Sequence, residues 1–304
     1  MQQQIEQTIT ELAKVVLGKE RQLRLSLCCL FSQGHLLIED LPGMGKTTLS
    51  HALAKVLGLA YNRVQFTSDL LPADILGVSI FDRENSVFQF QSGPIFTQLF
   101  LADEINRATP KTQSALLEAM AEGQVSIDGE TRPLPQPFFV IATQNPSHQR
   151  GTYPLPESQL DRFLMRISLG YPSPEAERLL LADEGRQKWS ELSQCMSVAD
   201  LIDIQQSVIK IHCSDELIGY VQRLIEQSRY HSSDSHGLSP RGGLALIRCA
   251  RAWAFMAGRS HVVPEDVQAV FEAVAEHRVN PDTASILQGK HSSTLLRDVA
   301  IFEP

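Results

Sequence analysis

The 304-residue sequence contains no apolar run near the roughly 18 to 20 residues needed to cross a bilayer, because charged residues interrupt every hydrophobic stretch. No direct membrane insertion is expected. The first residues carry Glu6 and Glu11 where a secretory leader would have a basic flank and an apolar stretch, so the expected location is cytoplasmic. Cysteine is scarce and unpatterned. Cys28, Cys29, Cys195, Cys213 and Cys249 are odd in number and show no CxxC spacing, so they read as reduced thiols and not as a disulfide framework. The nine histidines have no HxxxH or HExxH spacing, and His231 and His236 lie in a Ser-rich stretch, which argues against a zinc site. Basic charge is also short: 27 Lys and Arg stand against 35 Asp and Glu, for a net charge of −8, with no basic cluster to grip a phosphate backbone. Nucleic acid is not an expected partner.

What remains is a globular composition. Hydrophobic residues make up 43% of the chain, with only 18 Gly and 16 Pro, enough to bury a sizeable core and too ordered for a disordered or fibrous chain. At roughly 100 to 200 residues per domain, two domains are expected. Ile5, Ile9, Leu12 and Val16, then Leu23, Leu27, Leu30 and Phe31, recur at helical spacing. His35 to Glu39 reads as a buried strand running into a Gly-rich turn, and Leu49, Ala52, Leu53, Val56 and Leu57 trace one face of the helix that follows. Further strands are expected over Tyr61 to Thr67, Gln98 to Ala102 and Phe138 to Thr143, with a helix from Thr109 and Pro110 to Gly123. Two hairpins interrupt this α/β pattern, one around Arg83 to Ser86 and one around Asp128 and Gly129. The composition changes at Gly170-Tyr171-Pro172-Ser173-Pro174, beyond which only helical periodicity continues, near 175–186, through Leu201 to Ile211, and near 214–229, 240–258 and 264–277. The boundary placed there divides an α/β core, residues 1–171, from an all-helical unit, residues 172–304. From Pro281 to Pro304 no clear period emerges.

Chemistry concentrates at a few strand ends. Phosphates need converging backbone N–H groups, a cation and a hydroxyl for Mg²⁺, and Pro42-Gly43-Met44-Gly45-Lys46-Thr47-Thr48 between a strand and a helix supplies all three. Gly43 and Gly45 allow close backbone approach, Lys46 would reach the β- and γ-phosphates and Thr47 the metal. The strict GxxxxGK[ST] pattern puts glycine where this chain has Asp40, a residue that tolerates positive φ better than most. Asp103 and Glu104 end an apolar strand that a parallel sheet would bring beside the loop. Asp103 can hold Mg²⁺, and Glu104 can polarise the water attacking the γ-phosphate. Asn145, after the next apolar strand, is either a turn-former before proline or an amide that orients that water. Arg162 is either a local partner for Asp161 or a catalytic cation.

The segments LPGMGKTTL, TSDLLPADILG, LADEINRATPKTQSALLEAMAEGQV, ATQNP, GTYPLPESQLDRFL, GLSPRGGLAL and GRSHVVPEDV with AEHRV cover most of residues 15–280. In this order they resemble the MoxR family of AAA+ ATPases. The resemblance implies a P-loop core with a parallel sheet between helices, a C-terminal all-helical lid, and ATP and Mg²⁺ as ligands. It puts Lys46 and Thr47 in the Walker A positions, Asp103 and Glu104 in Walker B, Asn145 at sensor 1, Arg241 at sensor 2, and Arg162 as an arginine finger reaching a neighbouring subunit's nucleotide. A finger acting in trans implies a homo-oligomer, with a hexameric ring as the precedent. Such ATPases resemble chaperone-like factors that work with von Willebrand factor A domain proteins or mature metalloenzyme complexes. The hairpins resemble the family's helix 2 insert and pre-sensor 1 hairpin, and serve either to touch the client or to cover a sheet edge. Two other readings stay open, a magnesium chelatase-like cofactor-insertion motor and an ATP-gated scaffold with little turnover.

Overall fold

The computed structural model describes residues 1–145, 151–182, 191–230, 237–279 and 292–301. His231 and His236, the end of the helix expected near 175–186, and much of the stretch after Pro281 lie outside these residues. The apolar runs become strands β1 (Leu36–Glu39), β5 (Leu99–Asp103) and β8 (Phe139–Gln144), which are buried almost throughout. With β2 (Tyr61–Gln65) and β9 (Met165–Ile167) they form a five-stranded sheet in the order β2-β5-β8-β1-β9, in which every pairing is parallel. Strand alternation then sorts the side chains onto two faces. Leu36, Ile38, Leu99, Leu101, Phe139 and Ile141 join a core shared with α1 (Gln2–Ala13), α2 (Glu20–Phe31), α3 (Lys46–Val56) and the C-terminal helices. Leu37, Phe100, Ala102, Val140 and Ala142 face a second core with Leu116, Leu117 and Met120 of α5 (Pro110–Glu122). That helix starts as its sequence dictates: the Thr109 hydroxyl accepts the Thr112 N–H, Pro110 takes the first turn, and Gly123 closes the far end in the left-handed region.

Strand β9 is absent from the sequence-based expectation for a physical reason. It has three residues, and the middle one, Arg166, breaks the apolar run; the structure buries this arginine and pairs it with Glu39 of β1 at 3.1 Å. The hairpins are β3 (Gly77–Asp82) with β4 (Val87–Ser92), and β6 (Gln124–Ile127) with β7 (Glu130–Pro133). Both stand apart from the central sheet as separate two-stranded ribbons, the first preceded by the short α4 (Pro72–Leu76). Asp128 and Gly129 both take positive φ, the geometry that suits a two-residue hairpin turn. The ribbons meet where the Arg132 guanidinium lies over the Phe90 ring, 4.2 Å from its centre.

After the short α6 (Glu157–Leu160) and β9, the described residues form no further strand. The helices there are α7 (Pro174–Ala182), α8 (Val198–Ile209), α9 (Asp215–Tyr230), α10 (Pro240–Met256), α11 (Pro264–Val279) and α12 (Leu295–Asp298). Although residues 281–304 lack a period, the described part is anchored: Leu295 is buried, and the Ser292 N–H and hydroxyl both donate to Glu276 Oε2. No described helix is long and apolar enough to cross a membrane.

The end of α11 is fastened to the sheet. The His277 ring meets the Phe163 carbonyl at 3.1 Å, and the buried Arg278 donates to Asp161 Oδ1 at 2.7 Å and to the Phe163 carbonyl at 2.9 Å. Burial holds His277 neutral, its pKa far below the usual histidine range. His35, whose Nδ1 accepts the Val140 N–H, is likewise pushed down by burial, to about 4. Both rings bind a proton more readily in the unfolded chain, so their contribution is complete above the ordinary histidine pKa and is lost as pH falls below about 6.5, for His35 down to about 4. Each should tilt stability by about 1.4 kcal/mol per pH unit within that window. Denaturant titrations at pH 7 and pH 5 should show the loss, and His277→Gln, whose amide can still donate to Phe163, should flatten it. An unchanged slope would remove His277 from the account.

Candidate functional site

Strands β5, β8 and β1 lie side by side and end at the same edge of the sheet, with Ala102 opposite Ala142 and Glu39 opposite Gln144. That edge is the carboxyl end of a parallel sheet, where α/β folds bind ligands. The loop leaving β1 turns through Gly43 at φ 84° and Gly45 at φ 89°, both left-handed. A Cβ on either glycine would meet nothing within 4 Å, so it is backbone conformation and not crowding that calls for glycine. Gly45 starts α3 without a side-chain cap, which leaves the first-turn N–H groups aimed outward for an anion. Pro42 and Gly43 are exposed, Met44 packs against the core, and Thr47 and Thr48 occupy the first turn, half-buried.

Lys46 is buried and central. Its ammonium donates to the Asp40 carbonyl at 2.6 Å and to Asn145 Oδ1 at 2.9 Å. Burial pushes its pKa down, against the opposing pull of Asp40, Asp103, Glu104 and Glu39. The Asn145 amide spans the site, since its Nδ2 donates to Glu104 Oε1 at 2.8 Å. Lys46, Asn145 and Glu104 therefore form one hydrogen-bonded row from the start of α3 across the ends of β8 and β5. Asp103 stands beside it, with Oδ1 accepting the Thr143 hydroxyl at 2.6 Å and Oδ2 accepting Arg63 at 2.7 Å.

Glu104 is the strained member, a non-glycine residue at φ 56°. Such a conformation costs on the order of 1 to 3 kcal/mol and persists only when its surroundings fix it. Here its N–H donates to Thr143 Oγ1 at 2.8 Å, while Oε2 accepts Gln65 and Arg107, both at 2.9 Å. This arrangement aims the carboxylate along the sheet edge. Asn145 is held in turn, its carbonyl accepting the amide of buried Asn106 at 3.0 Å.

Sequence reasoning missed Thr143, Arg63, Gln65, Arg107 and Asn106. Thr143 sits in the apolar strand just before Asn145, and its place beside Asp103 shows only once β8 is known to pair with β5. Arg63 and Gln65 show their place only once β2 is known to pair with β5, where Gln65 stands opposite Asp103. Asp40 also behaves differently from the expectation. It is not at positive φ; its carboxylate is instead buried and fully engaged, accepting Leu41 N–H at 2.9 Å, Ser168 Oγ at 3.1 Å and Gly170 N–H at 2.6 Å.

Arg162 and Arg241 lie away from the row, and no hydrogen bond or ion pair among the described residues joins them to it. The Arg162 guanidinium donates to the Leu117 carbonyl at 2.7 Å. Its neighbour Asp161 takes Arg278 from α11 and stands 3.8 Å from the largely exposed Arg241 at the start of α10.

As chemistry, the site offers an anion nest, a buried ammonium, a carboxylate with a hydroxyl nearby and a second, aimed carboxylate. Mg²⁺ is usually held by one or two carboxylates together with substrate phosphates, and the oxygen donors of Asp103 and Thr47 suit it. Residues 35–165 match the model of the ATPase family associated with various cellular activities (AAA), and residues 226–298 match that of the AAA lid domain. A Bacillus subtilis relative named uncharacterized protein YeaC is 42% identical over 96% of this chain and 91% of its own length. The Mycobacterium tuberculosis protein named Chaperone MoxR1 is 40% identical over 90% of this chain and 75% of its own length. The crystal structure of a candidate ATPase from Cytophaga hutchinsonii superposes with a TM-score of 0.88 at 36% identity, covering 99% of this chain and 96% of that one.

Proposed function

The chain belongs to the MoxR family of AAA+ ATPases and is an ATP-hydrolysing enzyme, and from that premise we propose that it couples Mg²⁺-dependent hydrolysis to the remodelling or activation of a partner protein. One observation carries the site assignment: the continuous row Lys46–Asn145–Glu104, set beside Asp103 at one sheet edge. In this reading the N–H groups from Gly43 to Thr48 cradle the phosphates, and Lys46 exchanges the Asp40 carbonyl for β- and γ-phosphate oxygens. Glu104 accepts the proton of the attacking water, which Asn145 orients while it keeps Glu104 aimed. Thr47 and Asp103 would hold Mg²⁺, which would supply positive charge against the phosphates.

The partner side of the proposal rests on relatives and on exposed surface. The Mycobacterium tuberculosis relative is named a chaperone. On this chain the β3–β4 ribbon exposes apolar side chains on both of its faces, Val78, Ile80 and Val87 on one and Phe81 and Phe88 on the other, surface of the kind that contacts another protein. A von Willebrand factor A domain protein or a metalloenzyme complex is the client that the family resemblance favours. Residues 1–171 would form the core and 172–304 the lid, with Arg241 sensing nucleotide from the lid side. Arg162, outside the row of its own subunit, would act on a neighbour's nucleotide in a ring, with six subunits as the precedent.

ATP turnover per subunit, measured against protein concentration, tests this directly. Specific activity should rise with concentration in the wild type, because a site completed by a neighbour works only when assembled. Arg162→Ala should keep nucleotide affinity within about twofold yet lose about 10³-fold in turnover at every concentration, the lower end of what such fingers contribute. Wild-type turnover in that variant would remove the finger. Binding without hydrolysis at every concentration would instead favour the scaffold reading.

A further inference from the structure

We infer that Asp40 is a positioning residue that ties phosphate occupancy of the loop to the linker leading into the C-terminal helices. The inference rests on the nucleotide site proposed above. In the strict loop pattern this position is glycine, chosen where the backbone needs conformational freedom. Asp40 does not take positive φ, so here the backbone makes no such demand and the side chain must account for the residue.

Its contacts run in two directions. Toward the phosphate loop, the Asp40 carbonyl accepts the Lys46 ammonium at 2.6 Å, and Oδ1 accepts the Leu41 N–H at 2.9 Å. Toward the helices, Oδ2 accepts the Gly170 N–H at 2.6 Å and the Ser168 hydroxyl at 3.1 Å. Residues 168–173 are the segment between the end of β9 and the start of α7. Gly170 turns there at φ 63°, and α2 braces the same segment from its other side: Lys19, its N-cap, donates to the Tyr171 carbonyl at 2.6 Å.

Four bonds to one residue thus connect the cation that would meet the γ-phosphate with the turn from which the helices depart. Asp40 is 8% exposed, and hydrogen bonds to an ionised acceptor in such a setting are about twice as strong as neutral ones. When Lys46 transfers from the Asp40 carbonyl to a phosphate, that carbonyl loses its partner while the carboxylate keeps its grip on Gly170. Any shift of the loop is then delivered to the linker through a short, stiff connection and not through the length of β9. Asp40 touches no substrate atom in this scheme. It sets where the helical unit stands for a given state of the phosphate site.

The test uses the full-length chain carrying Asp40→Gly, Asp40→Asn or Ser168→Ala, followed by amide hydrogen exchange at residues 168–173 and by kcat, KM and nucleotide affinity. In the wild type, exchange at Gly170 should change when a non-hydrolysable ATP analogue binds. Asp40→Gly should hold the analogue within about threefold, because Lys46 and the N–H nest remain. It should lose Gly170 protection with and without analogue and drop kcat by roughly tenfold at nearly constant KM. Asp40→Asn can still accept Gly170 and Ser168 through its amide oxygen but turns its NH2 toward the Leu41 N–H, and should recover Gly170 protection and part of kcat; Ser168→Ala should show a smaller effect of the same kind as Asp40→Gly. The inference is overturned if Asp40→Gly keeps wild-type kcat and a nucleotide-dependent Gly170 signal. It is equally overturned if both Asp40 variants lose nucleotide binding, which would make Asp40 a builder of the loop alone. A wild-type chain that fails to bind ATP would overturn the nucleotide reading itself, and this inference with it.

Discussion

Glu104→Gln should bind ATP within about threefold of the wild type while turning it over 10² to 10⁴ times more slowly, the range a positioned general base contributes (roughly). The substitution keeps size and shape, and the new side chain can still accept Asn145 Nδ2 on the oxygen that now accepts it at 2.8 Å. What it loses is the second oxygen, which accepts Gln65 and Arg107, and the capacity to take a proton from water. The left-handed backbone at φ 56° should survive, because the Thr143 hydroxyl holds it through the main-chain N–H. The variant should therefore accumulate in the ATP-bound form. Pre-steady-state hydrolysis and equilibrium binding of a fluorescent ATP analogue separate the two quantities. Turnover at the wild-type rate would take the base assignment away from Glu104, and equal loss of binding would mean that the carboxylate shapes the pocket and does not act on water.

Lys46→Ala should act on the other quantity. Removing the ammonium takes away the cation that reaches the β- and γ-phosphates, and affinity for ATP should fall by about 30- to 150-fold, as expected for a charge-assisted hydrogen bond worth roughly 2 to 3 kcal/mol. The effect should be larger for ATP than for AMP, which lacks the phosphates in question. Truncation also leaves Asn145 Oδ1 and the Asp40 carbonyl without the donor they share, so Lys46→Met, which keeps the stem that packs there, should be measured beside it. If both variants bind ATP and AMP with unchanged ratio, the loop recognises something other than phosphate. Opposite results for Glu104 and Lys46, one losing rate and the other affinity, are the signature of a nucleotide site with divided roles.

The sequence made the middle of the sheet and the phosphate loop legible because their signals are local. Strands β1, β5 and β8 are short apolar runs that end in polar residues, and Thr109, Pro110 and Gly123 mark both ends of one helix within the reach of a few residues. The residues that escaped notice depend on contacts between distant parts of the chain. Asp161 and Arg162 read locally as a possible ion pair, yet the partners of Asp161 are Arg278 and Arg241, contributed by helices that follow much later. Arg166 hid a strand because its charge is neutralised by Glu39 only when β9 lies against β1. Arg63 meets Asp103 only after β2 has paired with β5. Asp40 was visible as a departure from a pattern, but its purpose depends on Ser168 and Gly170, whose proximity no local periodicity encodes.

The separateness of the two ribbons has a consequence for how such a protein can change over generations. Strands β3 and β4 bond to each other, as do β6 and β7, and neither pair adds a strand to the five whose ends position Lys46, Asp103, Glu104 and Asn145. Substitutions at the exposed positions Val78, Ile80, Phe81, Val87 and Phe88 should therefore meet weak purifying pressure from stability and strong pressure only from whatever they touch. Under the proposed function, the ribbon could be altered to suit a different partner while the strands that position the hydrolytic residues stay as they are.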